Sequence, residues 1–163
     1  MPVVLSPKGT YGGGDPPSFM RPLMKGGESL FLWVIGLRGG KMRIQGRPLV
    51  VLTTTGARTG KTRQTILARF DDPSETGSYW VIGSNNGALH HPAWCFNLRK
   101  NPDKVWIETE GRKSKVVPDS LVGAERDQAW EQVVALAPGY GKYTAKTDRE
   151  IPIIRLTPEA TSA

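Results

Sequence analysis

Three cations crowd a glycine-bounded run in the first half of this 163-residue chain: Arg58, Lys61 and Arg63 in Gly56-Ala57-Arg58-Thr59-Gly60-Lys61-Thr62-Arg63. Two glycines let backbone amides approach a ligand, Thr59 offers a hydroxyl, and the cations supply charge. This donor set suits an oxyanion, and the preferred ligand is the phosphate of a nucleotide-like cofactor. The run also looks like a Walker A loop, but Thr55 stands where the first glycine of G-x-x-x-x-G-K-[ST] belongs. A Walker A loop must open a helix whose N-terminus faces the phosphates, whereas Arg63 to Leu67 (RQTIL) reads as strand. NTP hydrolysis is not expected.

The other candidates are sparser. Ser84-Asn85-Asn86-Gly87 follows a predicted strand; it either presents amides and short polar side chains or merely connects two elements. Tyr140 and Tyr143 follow a predicted helix, and such a pair either packs or stacks on a bound ring and donates a hydrogen bond or proton. His90 and His91 are adjacent, so their side chains diverge and chelate poorly; no metal site is expected. Cys95 is the single cysteine and reads as a buried structural thiol, which leaves no disulfide framework and no cysteine-based zinc site. No Ser-His-Asp set, carboxylate pair or H-E-x-x-H motif stands out, so any chemistry falls to a cofactor.

The elements that must position these residues follow from pattern. Residues 1–17 hold eight glycines and prolines and read as a flexible arm. Residues 18–44 turn apolar (Phe19, Met20, Leu23, Met24, then Leu30 to Ile35) and predict one broken helix or two short ones, flanked by Lys25, Arg38, Lys41 and Arg43. That segment packs on the core or lies against anionic lipid; its apolar run is far short of the ~20 residues of a membrane span. Strands are predicted at Leu49–Thr55, Gln64–Phe70, Ser78–Ser84, Lys104–Glu110, Lys113–Val117 and Ile151–Leu156. A short helix is predicted from His91 to Asn101, with Trp94 and Leu98 inward. A longer one runs from Gly123 to Leu136, with Ala129, Trp130, Val133, Val134 and Leu136 on or near the inner face. Consecutive strands joined by short turns pair antiparallel, and the order does not alternate as a Rossmann sheet requires. The expectation is an α+β, mainly β fold: a small antiparallel barrel or half-barrel with a few helices. The barrel domain spans residues 45–158, and 159–163 form a loose tail.

Composition agrees with one domain. Lys plus Arg is 22 and Asp plus Glu is 15, a net charge of +7, with 38% hydrophobic residues. That excludes an acidic disordered chain and a polytopic membrane protein, and it asks for an anionic partner. The basic residues are dispersed and match no nucleic-acid-binding motif, so nucleic acid is not expected. No signal peptide is read at the start.

Four motifs in one order resemble the deazaflavin (F420)-dependent nitroreductase family. They are Leu52 to Arg63; Gly83 to Gly87; His91-Pro92-x-Trp94-x-x-Asn97-Leu98-x-x-Asn101-Pro102; and Pro138-Gly139-Tyr140-x-x-Tyr143 with Asp148-Arg149-x-Ile151-Pro152. The resemblance covers about residues 45–158. It implies a split β-barrel of the FMN-binding kind that binds coenzyme F420, and an oxidoreductase. Hydride passes from the reduced cofactor to a quinone, nitroaromatic or activated-alkene acceptor. Carried over by position, it implies that Arg58, Thr59, Gly60 and Arg63 hold the phosphate, with Lys61 adding charge. Gln64, Thr65, Ile66, Gly83, Ser84 and Asn85 would line the deazaflavin, and Trp94 and Asn97 would close its other side. Tyr140, Tyr143 and Ser84 would face the substrate. Ala137 replaces a tyrosine of some members and predicts a more open pocket. Ile66 stands where proline is common and Cys95 where an aromatic is common. The single cysteine and the absence of an export signal fit a cytoplasmic location, the family context adds peripheral membrane contact through residues 18–44, and both a monomer and a homodimer stay open. The competing readings are an FMN-dependent split-barrel reductase and a non-catalytic cofactor- or ligand-binding protein.

Overall fold

The structure, a computed structural model, describes residues 2–13 and 43–160. Its strands are β1 (Arg43–Ile44), β2 (Arg47–Thr55), β3 (Thr62–Ala68), β4 (Phe70–Asp71), β5 (Tyr79–Ile82), β6 (Trp106–Thr109), β7 (Arg112–Ser120) and β8 (Ile153–Pro158). The helices are α1 (Ala93–Lys100), α2 (Gly123–Leu136) and the single turn α3 (Tyr143–Lys146), with 3-10 turns at Asn85–Gly87 and Pro138–Lys142.

Among the described residues, every pairing between these eight strands is antiparallel. The sheet runs β1-β2-β6-β7-β8-β5-β4, and β3 lies on β2. β3 and β4 are one stretch of chain interrupted only at Arg69. Because β3 pairs with β2 and β4 with β5, the two ends of the path meet and the sheet curls into a barrel. The Arg69 N–H carries the β2 pairing across the interruption, donating to the Pro48 carbonyl at 2.9 Å. This is the antiparallel barrel expected from the short turns between strands.

Strand periodicity divides the apolar residues between two cores. Val50, Leu52, Val81, Ile107, Val116, Ile154 and Leu156 fill the barrel, closed by Trp94, Cys95 and Leu98 of α1. Trp80, Ile82 and Ile153 point outward, where they join Phe70 and pack against Ala129 and Val133 of α2 and Tyr140. β5 and β8 are thus covered on both faces, which is why their sequences are nearly continuous runs of apolar residues.

Several elements differ from expectation. The β6–β7 turn is Glu110–Gly111, both at positive φ (51° and 79°), one residue earlier than the gap between the predicted strands Lys104–Glu110 and Lys113–Val117. β7 runs on through Pro118 to Ser120. It pairs with β6 over residues 112–115 and with β8 over 116–120, so Pro118 sits where one neighbour suffices and its missing N–H costs no ladder bond. Leu136 is 54% exposed rather than inward, because α2 ends there and the chain turns away at Pro138. Residues 2–13 of the expected arm lie along the barrel: Val3 enters the core, and Thr10 donates its N–H to Asp148 Oδ1 at 2.7 Å. The helical segment expected at 18–44 falls almost wholly outside the described residues. Its described end is strand β1.

Candidate functional site

The anion turn joins β2 to β3. Its closure is a matter of two backbone bonds, Gly56 N–H to Lys61 O at 2.8 Å and Gly60 N–H to Gly56 O at 2.9 Å. Gly60 has φ +67°, a conformation glycine adopts freely. The turn is anchored from α1. Asn97 is buried, donates through Nδ2 to Thr54 Oγ1 at 3.0 Å, and accepts the Ala57 N–H on Oδ1 at 2.9 Å. Asn101 donates to the Thr55 carbonyl at 3.2 Å. Arg58, Lys61 and Arg63 are exposed, and none is ion-paired with a carboxylate among the described residues. Thr62 to Ala68 is strand, so the turn does not open a helix as a Walker A loop must.

Register sorts the residues that follow. Thr65 lies opposite Leu52 and Arg63 opposite Thr54, which puts both on the barrel-facing side. Gln64 and Ile66 lie opposite Thr53 and Val51, on the other side. The three residues read as one lining are therefore split between faces, a consequence of the two-residue strand period.

A second group of residues gathers after β5. Gly83 is buried, and a Cβ there would meet Pro152 Cγ at 2.6 Å and Cys95 Sγ at 3.0 Å, so only glycine fits. Ser84 and Asn85 are half-buried, and the Ser84 hydroxyl has no hydrogen-bond partner among the described residues. Lys146 of α3 lies against Gly87, which brings the tyrosine segment beside this turn. Tyr143 is half-buried, and its phenol oxygen accepts a hydrogen bond from Gln45 Nε2 at 3.2 Å. Tyr140 lies beneath it, edge-to-face with Tyr143 and with Phe70, both at 5.6 Å between centroids. Burial, with a smaller contribution from Tyr143, pushes the Tyr140 phenol up to about 12.

Trp94 is 6% exposed within the barrel core, and Asn97 has both polar ends engaged by the anion turn. Ala137 is 1% exposed beside Val133 and Tyr140, so its small side chain lies in the core. Cys95 is fully buried, and burial pushes its thiol up, which suits a packing role.

Sequence reasoning missed two residues. Arg149 is 4% exposed and donates to the carbonyls of Gly83, Ser84 and Ala88. His91 is buried between Arg149 and the N-terminal residues. The signal for the first was present, since an arginine beside Ile151-Pro152 completes the fourth motif. Nothing local announced that it would be buried.

Coenzyme F420 carries a phosphate, and the donors present fit one. The glycine-bounded turn offers the Arg58 and Thr59 amides, which have no acceptor among the described residues, together with the Thr59 hydroxyl and three cations that pair with no carboxylate among the described residues.

The model of the F420H(2)-dependent quinone reductase family matches residues 33–158. An F420H(2)-dependent quinone reductase of Mycobacterium tuberculosis is 34% identical over 119 residues, covering 71% of this chain and 77% of that protein. A solved F420-H2 dependent reductase (FDR-A) is 36% identical with TM-score 0.59, over 68% of this chain and 94% of the other. A solved domain-swapped dimer is 30% identical with TM-score 0.61, over 85% and 99%. These matches bear out the resemblance carried by the four motifs, and the chain belongs to the F420H(2)-dependent quinone reductase family.

Proposed function

We propose that the anion turn and the Ser84–Tyr143 region together form the site of F420-dependent reduction of a quinone. Family membership supplies the reaction class and the cofactor, coenzyme F420. The observation that carries the assignment to this site is the cluster of Arg58, Lys61 and Arg63 around a glycine turn that α1 holds in place. Arg58, Thr59, Gly60 and Arg63 would hold the phosphate, with Lys61 adding charge beside it. Gln64, Thr65, Ile66, Gly83, Ser84 and Asn85 would border the ring system, Thr65 and Gln64 from opposite faces of β3. Trp94 and Asn97 act from beneath, the one as packing and the other as the tether of the turn.

When bound, the reduced cofactor supplies a hydride. The chain must align the acceptor and stabilise the charge that develops on its oxygen. Tyr143 is suited to this. Gln45 donates to its phenol oxygen, which leaves the phenol proton free to be given to an acceptor oxygen. Tyr140 stays neutral near pH 7 and fixes the Tyr143 ring edge-to-face. The Ser84 hydroxyl is a second donor toward the same acceptor.

Nitroaromatic and activated-alkene acceptors belong to the same reading, since each accepts a hydride and then needs a proton at or near a polar group. A homodimer is supported by the domain-swapped relative. Among the described residues no helix is long and apolar enough to cross a membrane. A cytoplasmic enzyme whose residues 18–44 meet the membrane surface, where lipid-soluble quinones reside, is supported by the basic and apolar character of that segment.

Fluorescence titration with oxidised coenzyme F420, run beside FMN, tests the reading. Micromolar or tighter binding to the deazaflavin alone is expected, followed by quinone reduction. Binding to FMN alone, or to neither, would overturn it.

A further inference from the structure

We propose that Arg149 is the positioning residue for the Ser84–Gly87 turn, and that the N-terminal residues reach this turn through His91. The proposal rests on the function proposed above only in naming what the turn serves.

The turn needs outside support. Asn85, Asn86 and Gly87 are three successive residues at positive φ, 44°, 54° and 74°. Asparagine tolerates this region better than most residues, yet a consecutive run persists only when its surroundings over-determine it. Arg149 brackets the run. Its Nη1 donates to Gly83 O at 3.1 Å and its Nη2 to Ser84 O at 2.9 Å on one side, and its Nε donates to Ala88 O at 3.2 Å on the other. One planar fork thus fixes three carbonyls whose spacing defines the turn. No carboxylate pairs with this buried guanidinium among the described residues, and the neighbouring Asp148 turns outward to Thr10. Its hydrogen bonds go instead to backbone carbonyls and an imidazole.

The fourth bond runs from Arg149 Nη1 to His91 Nδ1 at 2.9 Å. A guanidinium only donates, so Nδ1 must accept and the imidazole proton sits on Nε2. That nitrogen lies 2.8 Å from the Ser6 carbonyl and donates to it. Ser6 belongs to the N-terminal residues that precede the stretch matched by the family model. The same residues touch the turn directly, through the Gly13 N–H to the Gly87 carbonyl at 2.9 Å. The N-terminal residues therefore select the imidazole tautomer that lets Arg149 hold the turn.

The test is hydrogen exchange of the unliganded full chain, read by mass spectrometry, together with cofactor affinity and turnover. Arg149→Lys keeps the charge and loses the fork. Exchange across residues 84–91 is expected to rise about tenfold or more while β2, β3 and α1 stay unchanged. Quinone turnover, kcat, is expected to fall about tenfold and the deazaflavin Kd to rise by a smaller factor, because Ser84 and Asn85 border the ring while Asn97 and Asn101 hold the anion turn independently. Unchanged exchange with unchanged kcat would overturn the proposal. So would exchange rising throughout the barrel with affinity and kcat lost together, which marks a residue that only holds the fold. If Arg149→Lys does not fold, His91→Phe carries the test, since it keeps a ring beside Phe96 and removes both hydrogen bonds. It is expected to raise exchange at 84–91 about threefold, and no change there would overturn the proposal. A wild-type protein that binds no deazaflavin would sink the proposed function, while the exchange result would still decide the role of Arg149.

Discussion

The two halves of the site are built in opposite ways. The anion turn is local: its residues lie within eight positions, and a two-stranded hairpin presents them. Among the described residues, Asn97 and Asn101 are the side chains that reach it from elsewhere in the chain. Among the described residues, the Ser84–Tyr143 region is assembled from five separated segments: Ser6, Gln45, residues 83–91, Tyr140–Lys146 and Arg149. In the function proposed above, the first half would position a fixed anion, for which an exposed turn with cations suffices. The second would place a donor against a reacting atom, and its backbone is held by buried side chains. Ligand-binding capacity can sit in a short motif, whereas alignment is a property of packing.

That contrast can be broken most sharply at Asn97. Asn97→Ala strands the buried Thr54 hydroxyl and the Ala57 N–H, and should cost about 2–4 kcal/mol of stability by chemical denaturation. It should also weaken deazaflavin binding while leaving exchange at residues 84–91 unchanged. Disturbance of both halves would show that they are one unit.

Arg63→Ala comes next. Loss of one charge-assisted contact is expected to weaken deazaflavin binding by about 10- to 100-fold in a fluorescence titration, with kcat at saturation little altered. Unchanged affinity would move the phosphate away from this turn.

Tyr143→Phe addresses the other half. The ring and its contact with Tyr140 survive and the proton donor is lost, so kcat should fall about tenfold or more with an unchanged cofactor Kd. A variant of full activity would shift the donor role to Ser84.

His91 predicts a smaller effect, on stability against pH. Burial first, then the charges of Arg149 and Arg99, hold its imidazole below the ordinary value of 6.5, against the opposing Ser6 carbonyl and Glu150. The unfolded chain therefore binds the extra proton more readily. This contribution is complete above about pH 6.5 and is lost as pH falls from there toward the lowered folded value. Melting temperature should drop between pH 7 and pH 5 in the wild type, and the drop should shrink in His91→Phe.

The smallest effect is expected at Leu136. It is more than half exposed, so Leu136→Lys should change stability by no more than about 0.5 kcal/mol. A loss of a few kcal/mol would mean that this end of α2 is covered in a dimer.

Much of this architecture was legible in the residues themselves. The β-branched run before Gly56, the turn chemistry between strands and the order of elements lead to an antiparallel barrel without reference to any relative. They succeed because strand burial and tight turns are written at short range. Chain periodicity also placed α2, yet it put Leu136 inward, because a period says nothing about where the next segment departs. The breaker-rich first residues read as a free arm, since no local pattern shows that Val3 has a hole to fill in the barrel.

The sequence by itself determined the anion turn, the strands that carry it and the tyrosine pair beyond α2, because each depends on neighbours a few residues away. Only the tertiary structure decided that β3 and β4 close the barrel around Arg69, that Thr65 and Gln64 face opposite ways, and that Asn97 tethers the turn. It alone buried Arg149 beneath Ser84. The physical reason is the same in each case. A buried polar group must find its partners, and those partners come from segments that the fold brings together and the chain keeps far apart.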